Sequence, residues 1–257
     1  AAGYDVDNSV RFNSGDSPSL KDSTGDAAPA GNRQKFTFSI WFKRSSVGAT
    51  QILASSSYSG SDEGYLFLSG GGILGWQSNN SGDGNLGTAM LFRDLSAWYH
   101  VVFSVDTTQS TATNRIKLYI NGSQYTWDGS NTTQPNQNQS LYWNVGGTYY
   151  PYIGRRNGGD YFDGYIGEVA QVDNAQLAAT SFGEFDEDSP TIWKPKDLSD
   201  LTFGTSGYWL DMEDSSDFGN DVSGVGNDFA VANLAATDSA TDTPTNNFAV
   251  GNSINSR

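Results

Sequence analysis

Three kinds of side chain in this sequence could do chemistry: paired carboxylates, a single histidine, and rings clustered with amides. Glu184-Phe185-Asp186 and Asp211-Met212-Glu213 each carry two acids at i and i+2, and alternate residues of a strand share a face. Two facing carboxyls about 5–5.5 Å apart are what a retaining glycoside hydrolase needs. Both pairs lie in acid-rich, loop-like surroundings, so solvated loop acids or cation ligands are the better reading. His100 could serve as a base, but no Ser in a nucleophile-elbow context accompanies it and its neighbours read as strand, so a structural histidine is expected. Gly70-Gly71-Gly72 is not followed by Lys-Ser/Thr, so it reads as a hairpin turn and not a phosphate loop. No catalytic residue is assigned.

Sugar binding needs no catalytic group: rings stack on the apolar faces of a sugar while Asn, Asp and Gln satisfy its hydroxyls. The stretch 124–163 interleaves Tyr and Trp with Asn and Gly, and the glycan-binding candidates are Trp127, Tyr142, Trp143, Tyr149, Tyr150 and Arg155. Tyr58, Trp76 and Arg156 are possible additions to the surface. Each ring has a competing assignment as core or edge cover, and Tyr and Trp equally mark protein interfaces.

Composition removes several other chemistries. The 257 residues contain no cysteine and one histidine, which leaves no disulfide, zinc knuckle, iron–sulfur cluster or thiol nucleophile. Fourteen basic against 29 acidic residues give a net charge of −15. That charge repels a phosphate backbone, so no nucleic-acid partner is expected, and it favours a hard cation where oxygens cluster. No apolar run approaches the roughly 20 residues of a membrane helix. Ala1-Ala2-Gly3-Tyr4-Asp5 lacks a basic, then apolar, leader pattern, so no membrane insertion is expected and export stays open.

The elements that must position these residues are strands. In Phe36–Lys43 the residues Phe36, Phe38, Ile40 and Phe42 alternate onto one face; Val101, Phe103 and Val105 do the same, as do Ile116, Leu118 and Ile120 before the Asn121-Gly122 turn signal. Further strands are expected at 10–12, 51–55, 65–69, 73–77, 152–154 and 165–172. Asn174–Phe182 alone reads as a short helix, stopped by Gly183. Many short strands with almost no helix predict an all-β fold, an antiparallel β-sandwich of jelly-roll type with that short helix and an acidic C-terminal extension. Residues 1–183 would form the sandwich and 184–257 the extension. From about 235 the composition is that of a chain that does not order alone, so contact with the sandwich, a second copy or a larger assembly is expected to hold it.

Several motifs carry a resemblance. Val10-Arg11-Phe12-Asn13-Ser14-Gly15-Asp16, Phe38-Ser39-Ile40-Trp41-Phe42-Lys43, Trp98-Tyr99-His100-Val101-Val102-Phe103-Ser104-Val105-Asp106, Leu118-Tyr119-Ile120-Asn121-Gly122, Tyr152-Ile153-Gly154 and Phe162-Asp163-Gly164-Tyr165-Ile166-Gly167-Glu168-Val169 follow one another in order. Together they resemble the laminin-G-like branch of the concanavalin-A-like lectin/glucanase superfamily over about residues 4–182. One departure is Gly167, where the family pattern has an acid. The segments Tyr208–Asp214 and Asp221–Asp228 resemble the opening strand and loop of such modules, displaced to follow the module. They either close this sandwich, the preferred reading, or open a second module.

The resemblance implies a calcium ion held by loop oxygens, with Asn13, Asp16, Asp163 and Glu168 as candidate ligands and a second acidic loop at Asp214, Asp217, Asn220 and Asp221. The glucanase pattern E-x-D-x-x-E is incomplete, since Ser189 stands where its third acid belongs. Nearly the whole length is also similar to laminin-G-like proteins of marine bacteriophages, found among virion and tail-fibre proteins. That likeness implies a non-enzymatic fibre, tail or capsid-surface component on the virion surface, partnered by other virion proteins and copies of itself, and touching host surface glycans. The alternatives are a free or secreted calcium-assisted carbohydrate-binding module and, more distantly, a glucanase.

Overall fold

The computed structural model describes residues 4–22, 28–57, 62–78, 83–129 and 131–245. In chain order the strands are β1 Ser9–Phe12, β2 Ser19–Asp22, β3 Lys35–Arg44, β4 Gln51–Ser57, β5 Glu63–Leu68, β6 Ile73–Ser78, β7 Asn85–Leu91, β8 Tyr99–Asp106 and β9 Ile116–Ile120. They continue as β10 Ser123–Tyr125, β11 Thr132–Thr133, β12 Tyr150–Ile153, β13 Gly164–Asp173, β14 Gly183–Phe185, β15 Trp193–Pro195, β16 Tyr208–Leu210, β17 Phe229–Ala232 and β18 Ser239–Ala240. Among the described residues two eight-stranded antiparallel sheets and a small β14–β15 ribbon result. The first runs β10-β9-β8-β3-β13-β1-β18 with β16 also on β13; the second runs β11-β7-β6-β5-β4-β12-β2-β17.

The period-2 pattern explains how the sheets face each other. Phe36, Phe38, Ile40 and Phe42 on β3, with Val101, Phe103 and Val105 on β8, point inward and are fully buried. They meet Leu53, Leu66, Leu68, Leu74 and Trp76 of the second sheet in one core. Burying each large apolar side chain contributes about 1.5–3 kcal/mol, the dominant favourable term of such a sandwich. The Gly70–Gly72 segment forms the β5–β6 hairpin turn, with Gly72 N–H donating to Ser69 O at 2.9 Å.

The outer face of the first sheet is covered by chain that follows β13. Trp41, Val102, Ala170 and Val172 of the sheet pack against Ala179, Phe182, Trp193, Leu198 and Phe203 in a second apolar layer. The helix expected over Asn174–Phe182 is not formed; only Ala179–Ser181 makes a 3-10 turn. Asn174 sits at φ 59°, in the left-handed region where a right-handed helix cannot run. The backbone groups a helix would pair internally are taken by the sheet instead. Thr37 Oγ1 donates to Ala175 O and accepts from Leu177 N, each at 2.8 Å, and Ser104 Oγ donates to Leu177 O at 2.7 Å.

Later segments of the chain return to both sheets. Strand β13 carries β1 on Gly164–Ile166 and, farther along, β16 on Val169–Gln171, so Trp209 lies in the same sheet as Phe12. Strand β17 extends the second sheet beside β2, and β18 extends the first beside β1. Asp242 then pairs with Lys43 and accepts from Trp98 Nε1 at 2.9 Å. A Cβ at Gly167 would stand 2.9 Å from Pro244 Cδ. The position that departs from the laminin-G-like pattern is thus a bulge over which the returning chain crosses.

Candidate functional site

The second sheet's outer face carries no such layer among the described residues, and one rank of side chains crosses it. Register places Asn85 opposite Gln77, Gln77 opposite Tyr65, Tyr65 opposite Ser55, Ser55 opposite Tyr152 and Tyr152 opposite Lys21. Their strand neighbours Leu66, Trp76, Ala54, Ile153 and Leu20 belong to the core, so alternation turns this rank outward. Amides, a hydroxyl, two phenol rings and an ammonium therefore lie in line across six strands.

Part of the rank floors a cleft of about 410 Å³, lined by Thr50, Ile52, Tyr65, Phe67, Gln77, Arg156 and Asp160. That volume lies within the range of small-molecule sites. The turn after β12 builds its wall. Arg156 pairs with Glu63 at 2.9 Å and Asp160 at 2.8 Å, and its guanidinium carbon stands 5.2 Å from the Tyr65 ring centroid. Tyr65 OH donates to Gln77 Oε1 at 3.0 Å, and burial pushes the Tyr65 phenol up from its ordinary value. Beside the cleft Arg155 lies over both Tyr152 and Tyr161, at 5.1 and 5.4 Å, and Lys21 lies 3.8 Å over Tyr150. Neither Arg155 nor Lys21 has an ion pair among the described residues. The face thus offers stacking rings, fixed amides and cations held on aromatic surfaces.

The structure divides the sequence's glycan candidates. Tyr150 and Arg155 stand on the open face. Tyr142 and Tyr149 pack together at 6.0 Å on the chain entering β12, with Arg33 over Tyr142 and Tyr149 OH on Asp62; neither lines the cleft. Trp143 is a correction: it is 3% exposed, stacks on Phe36 at 5.8 Å and donates to Gln171 Oε1 at 2.7 Å, so its ring is core. Trp127 is 9% exposed with Nε1 on Ile116 O and lies away from the open face, at the edge of the sandwich beside Tyr125. Trp76 is fully buried, and Tyr58 lies outside the described residues. Sequence reasoning passed over Tyr65, Phe67 and Gln77. The signal was present in Tyr65-Leu66-Phe67-Leu68, where Leu66 and Leu68 fill the core and the rings between them make the other face apolar as well.

The calcium set is likewise only partly assembled. Asn13, just after Phe12, and Asp163, just before Gly164, adjoin the register pair Phe12–Gly164 at one strand end, and Asn13 Nδ2 donates to Asp16 Oδ2 at 2.7 Å. Glu168 is elsewhere: it is buried, and Oε1 accepts from Trp209 Nε1 at 2.6 Å and Tyr4 OH at 3.2 Å. Burial raises its carboxyl to about 8, helped by the charges of Asp211 and Glu213 and opposed by those two hydrogen bonds. In the second loop Asp221 accepts four backbone N–H groups, from Trp209, Ser223, Gly226 and Asn227. Asp214 caps Ser216 in the same way. Among the described residues no group of three or more His, Cys, Asp or Glu is arranged to hold a metal.

The acid pairs and the histidine serve the covered face. Glu184 and Asp186 both contact Lys194, at 3.6 and 3.3 Å, and Asp211 Oδ1 caps Glu213 N. His100 is fully buried and stacked on Trp41 at 4.4 Å. Trp193 Nε1 donates to its Nδ1 at 2.8 Å, which leaves Nε2 to carry the proton towards Ser39 Oγ at 2.8 Å. Burial lowers its pKa to about 3, so the imidazole is a neutral structural part, as the strand pattern implied.

Two antiparallel sheets, one outer face sealed and the other open around a ring-lined cleft, define a lectin-like β-sandwich. The chain belongs to the concanavalin A-like lectin/glucanases superfamily, whose laminin-G-type profile matches residues 14–179. No curated protein matches the sequence. Among solved structures it is similar to a native heptameric SAP-like pentraxin from Limulus polyphemus, at 18% identity, TM-score 0.46, over 68% of this chain and 80% of the other. It is also similar to the CBM40 of a Ruminococcus gnavus IT-sialidase, at 18% identity, TM-score 0.42, over 63% of this chain and 89% of the other. A leech intramolecular trans-sialidase matches at 17% identity and TM-score 0.45, over 63% of this chain and 27% of the enzyme. No helix among the described residues is long and apolar enough to cross a membrane.

Proposed function

We propose that this chain is a non-enzymatic carbohydrate-binding domain that takes glycans on the open face of its second sheet. The observation that carries this reading is the rank Gln77–Tyr65–Ser55–Tyr152–Lys21 beside a cleft of about 410 Å³. Rings supply stacking area, fixed amides and hydroxyls select a hydroxyl pattern, and Arg155 and Lys21 add donors already desolvated on tyrosines. A binding role without turnover is supported by the acids. Glu63 and Asp160 at the cleft share Arg156, and Glu168 is sealed behind Trp209 and Tyr4. The sequence likeness to bacteriophage laminin-G-like proteins supports the setting, a fibre, tail or capsid-surface component that assembles with virion proteins and copies of itself and meets host glycans.

A glycan array with the purified chain, repeated with Gln77→Ala/Tyr152→Ala, tests the site. A specific hit that the double variant loses, with unchanged melting, is the expected result. No hit on a broad array, or an array without any hit that the double variant loses, would remove the open face from this role. Immunogold labelling of phage particles tests the setting, and particles without label would sink it.

A further inference from the structure

We propose a second carbohydrate site, at the edge of the sandwich where β10 and β11 end their sheets, that takes an uncharged oligosaccharide. It extends the carbohydrate-binding reading to a separate surface and does not require the first cleft. A cavity of about 440 Å³ opens there, walled by Tyr125 and Trp127, with Gln124, Thr126, Gln134 and Lys117 among its polar lining. Its volume falls in the range of ligand sites. Because β10 and β11 are the terminal strands of their sheets, no further strand among the described residues closes the gap between them.

The walls are fixed before any ligand arrives. Ile116 is the common anchor: its N–H donates to Gln134 Oε1 at 3.2 Å, and its carbonyl accepts from Trp127 Nε1 at 3.0 Å and Gln134 Nε2 at 3.3 Å. Tyr125 is pinned through its hydroxyl, which donates to Asp128 Oδ1 at 2.7 Å and accepts from Met90 N at 3.0 Å. Two rings and one amide plane are therefore already ordered, which reduces the entropic cost of binding. Gln124 and Thr126 on the exposed strand end remain for hydroxyls.

The lining also sets the ligand class. Amides and hydroxyls are neutral donors and acceptors that suit sugar hydroxyls, and the rings suit the apolar faces of pyranoses. Among the described residues no carboxylate or guanidinium lines the cavity. A carboxylated sugar is best held by a guanidinium fork, and the net charge of −15 opposes the approach of a polyanion. Lys117 contributes one ammonium, enough to donate to hydroxyls. A neutral hexose or pentose chain lying across the edge fits these terms.

The test is calorimetric titration of the full chain with cello-, manno-, malto- and laminari-oligosaccharides, and with oligogalacturonate as the acidic counterpart. The wild type, Gln77→Ala/Tyr152→Ala, Thr126→Arg and Gln124→Ala are compared, with thermal melting as the control for folding. A neutral oligosaccharide that still binds Gln77→Ala/Tyr152→Ala, and binds Thr126→Arg at least tenfold more weakly, is the expected result, with a smaller loss for Gln124→Ala. Binding abolished by Gln77→Ala/Tyr152→Ala overturns the second site and leaves the open-face reading standing. Binding lost in Thr126→Arg and untouched by Gln77→Ala/Tyr152→Ala places that sugar at the edge site alone and leaves the open face to be judged by the array hits that the double variant loses. Affinity unaffected by Thr126→Arg, a preference for oligogalacturonate, or no binding by the wild type each overturns the proposal.

Discussion

The two outer faces of this sandwich are built from similar residues and have opposite fates. On the first sheet Trp41, Trp98 and His100 are covered by Trp193, Phe203 and the chain around them, and every ring nitrogen of His100 is used internally. On the second, Tyr65, Gln77, Tyr152 and Lys21 present the same mixture of ring and polar group to a cleft and to solvent. A strand whose two faces are both rich in rings announces that the outer face has a partner. Whether that partner is the chain itself or a ligand depends on where the extension folds.

The sharpest way to break this comparison is to remove one ring from each face. Trp193→Ala strips the cover from His100 and should cost about 3–5 kcal/mol in denaturant unfolding, the range for a buried Trp. Tyr152→Ala on the open face should cost less than about 1 kcal/mol; equal losses would end the distinction. Binding should show the reverse order. Gln77→Ala/Tyr152→Ala should weaken glycan affinity at least tenfold, about 1.4 kcal/mol, and a destabilised but folded Trp193→Phe protein should bind as the wild type does.

The covered face should also carry the pH dependence. Glu168 is raised from 4.5 to about 8, so its contribution is complete below about 4.5 and is lost as pH rises through about 8. Glu168→Gln keeps an acceptor for Trp209 and should flatten that decline, which approaches about 1.4 kcal/mol per pH unit at its steepest. His100 works in the opposite direction. Its pKa falls from 6.5 to about 3, so its contribution is present above about 6.5 and is lost as pH falls towards about 3. Stability curves from pH 4 to 9 for the wild type and Glu168→Gln check both limbs. The smallest effect concerns calcium: with Glu168 held by Trp209 and Tyr4, added calcium or chelator should leave the melting temperature unchanged within scatter.

Alternation along Phe36–Phe42, Val101–Val105 and Ile116–Ile120 was enough to assign strands and their buried faces, because period 2 is a local property of the backbone. The strand context was enough, too, to read His100 as structural, while the laminin-G-like likeness rested on the wording of six motifs in order. The candidate site was less legible. Composition picked out Tyr150, Arg155, Trp127 and Trp143 alike, whereas the structure places the first two on the open face, Trp127 at the sandwich edge and Trp143 in the core, since a ring beside Asn or Gly reads the same in a core and on a surface.

Only the tertiary structure decided those cases. Trp143 became core because Phe36 on a strand more than a hundred residues away lies against it. Asn174–Phe182 became a cover instead of a helix because Thr37 and Ser104 took its backbone bonds. The cleft exists because the turn after β12 brings Arg156 and Asp160 against Tyr65 and Gln77 of a hairpin far earlier in the chain, a juxtaposition no local pattern records. The sequence by itself determined which residues alternate and therefore that the chain is a sandwich. Coverage of each face was settled by long-range pairing, because burial depends on what the rest of the chain places above a residue.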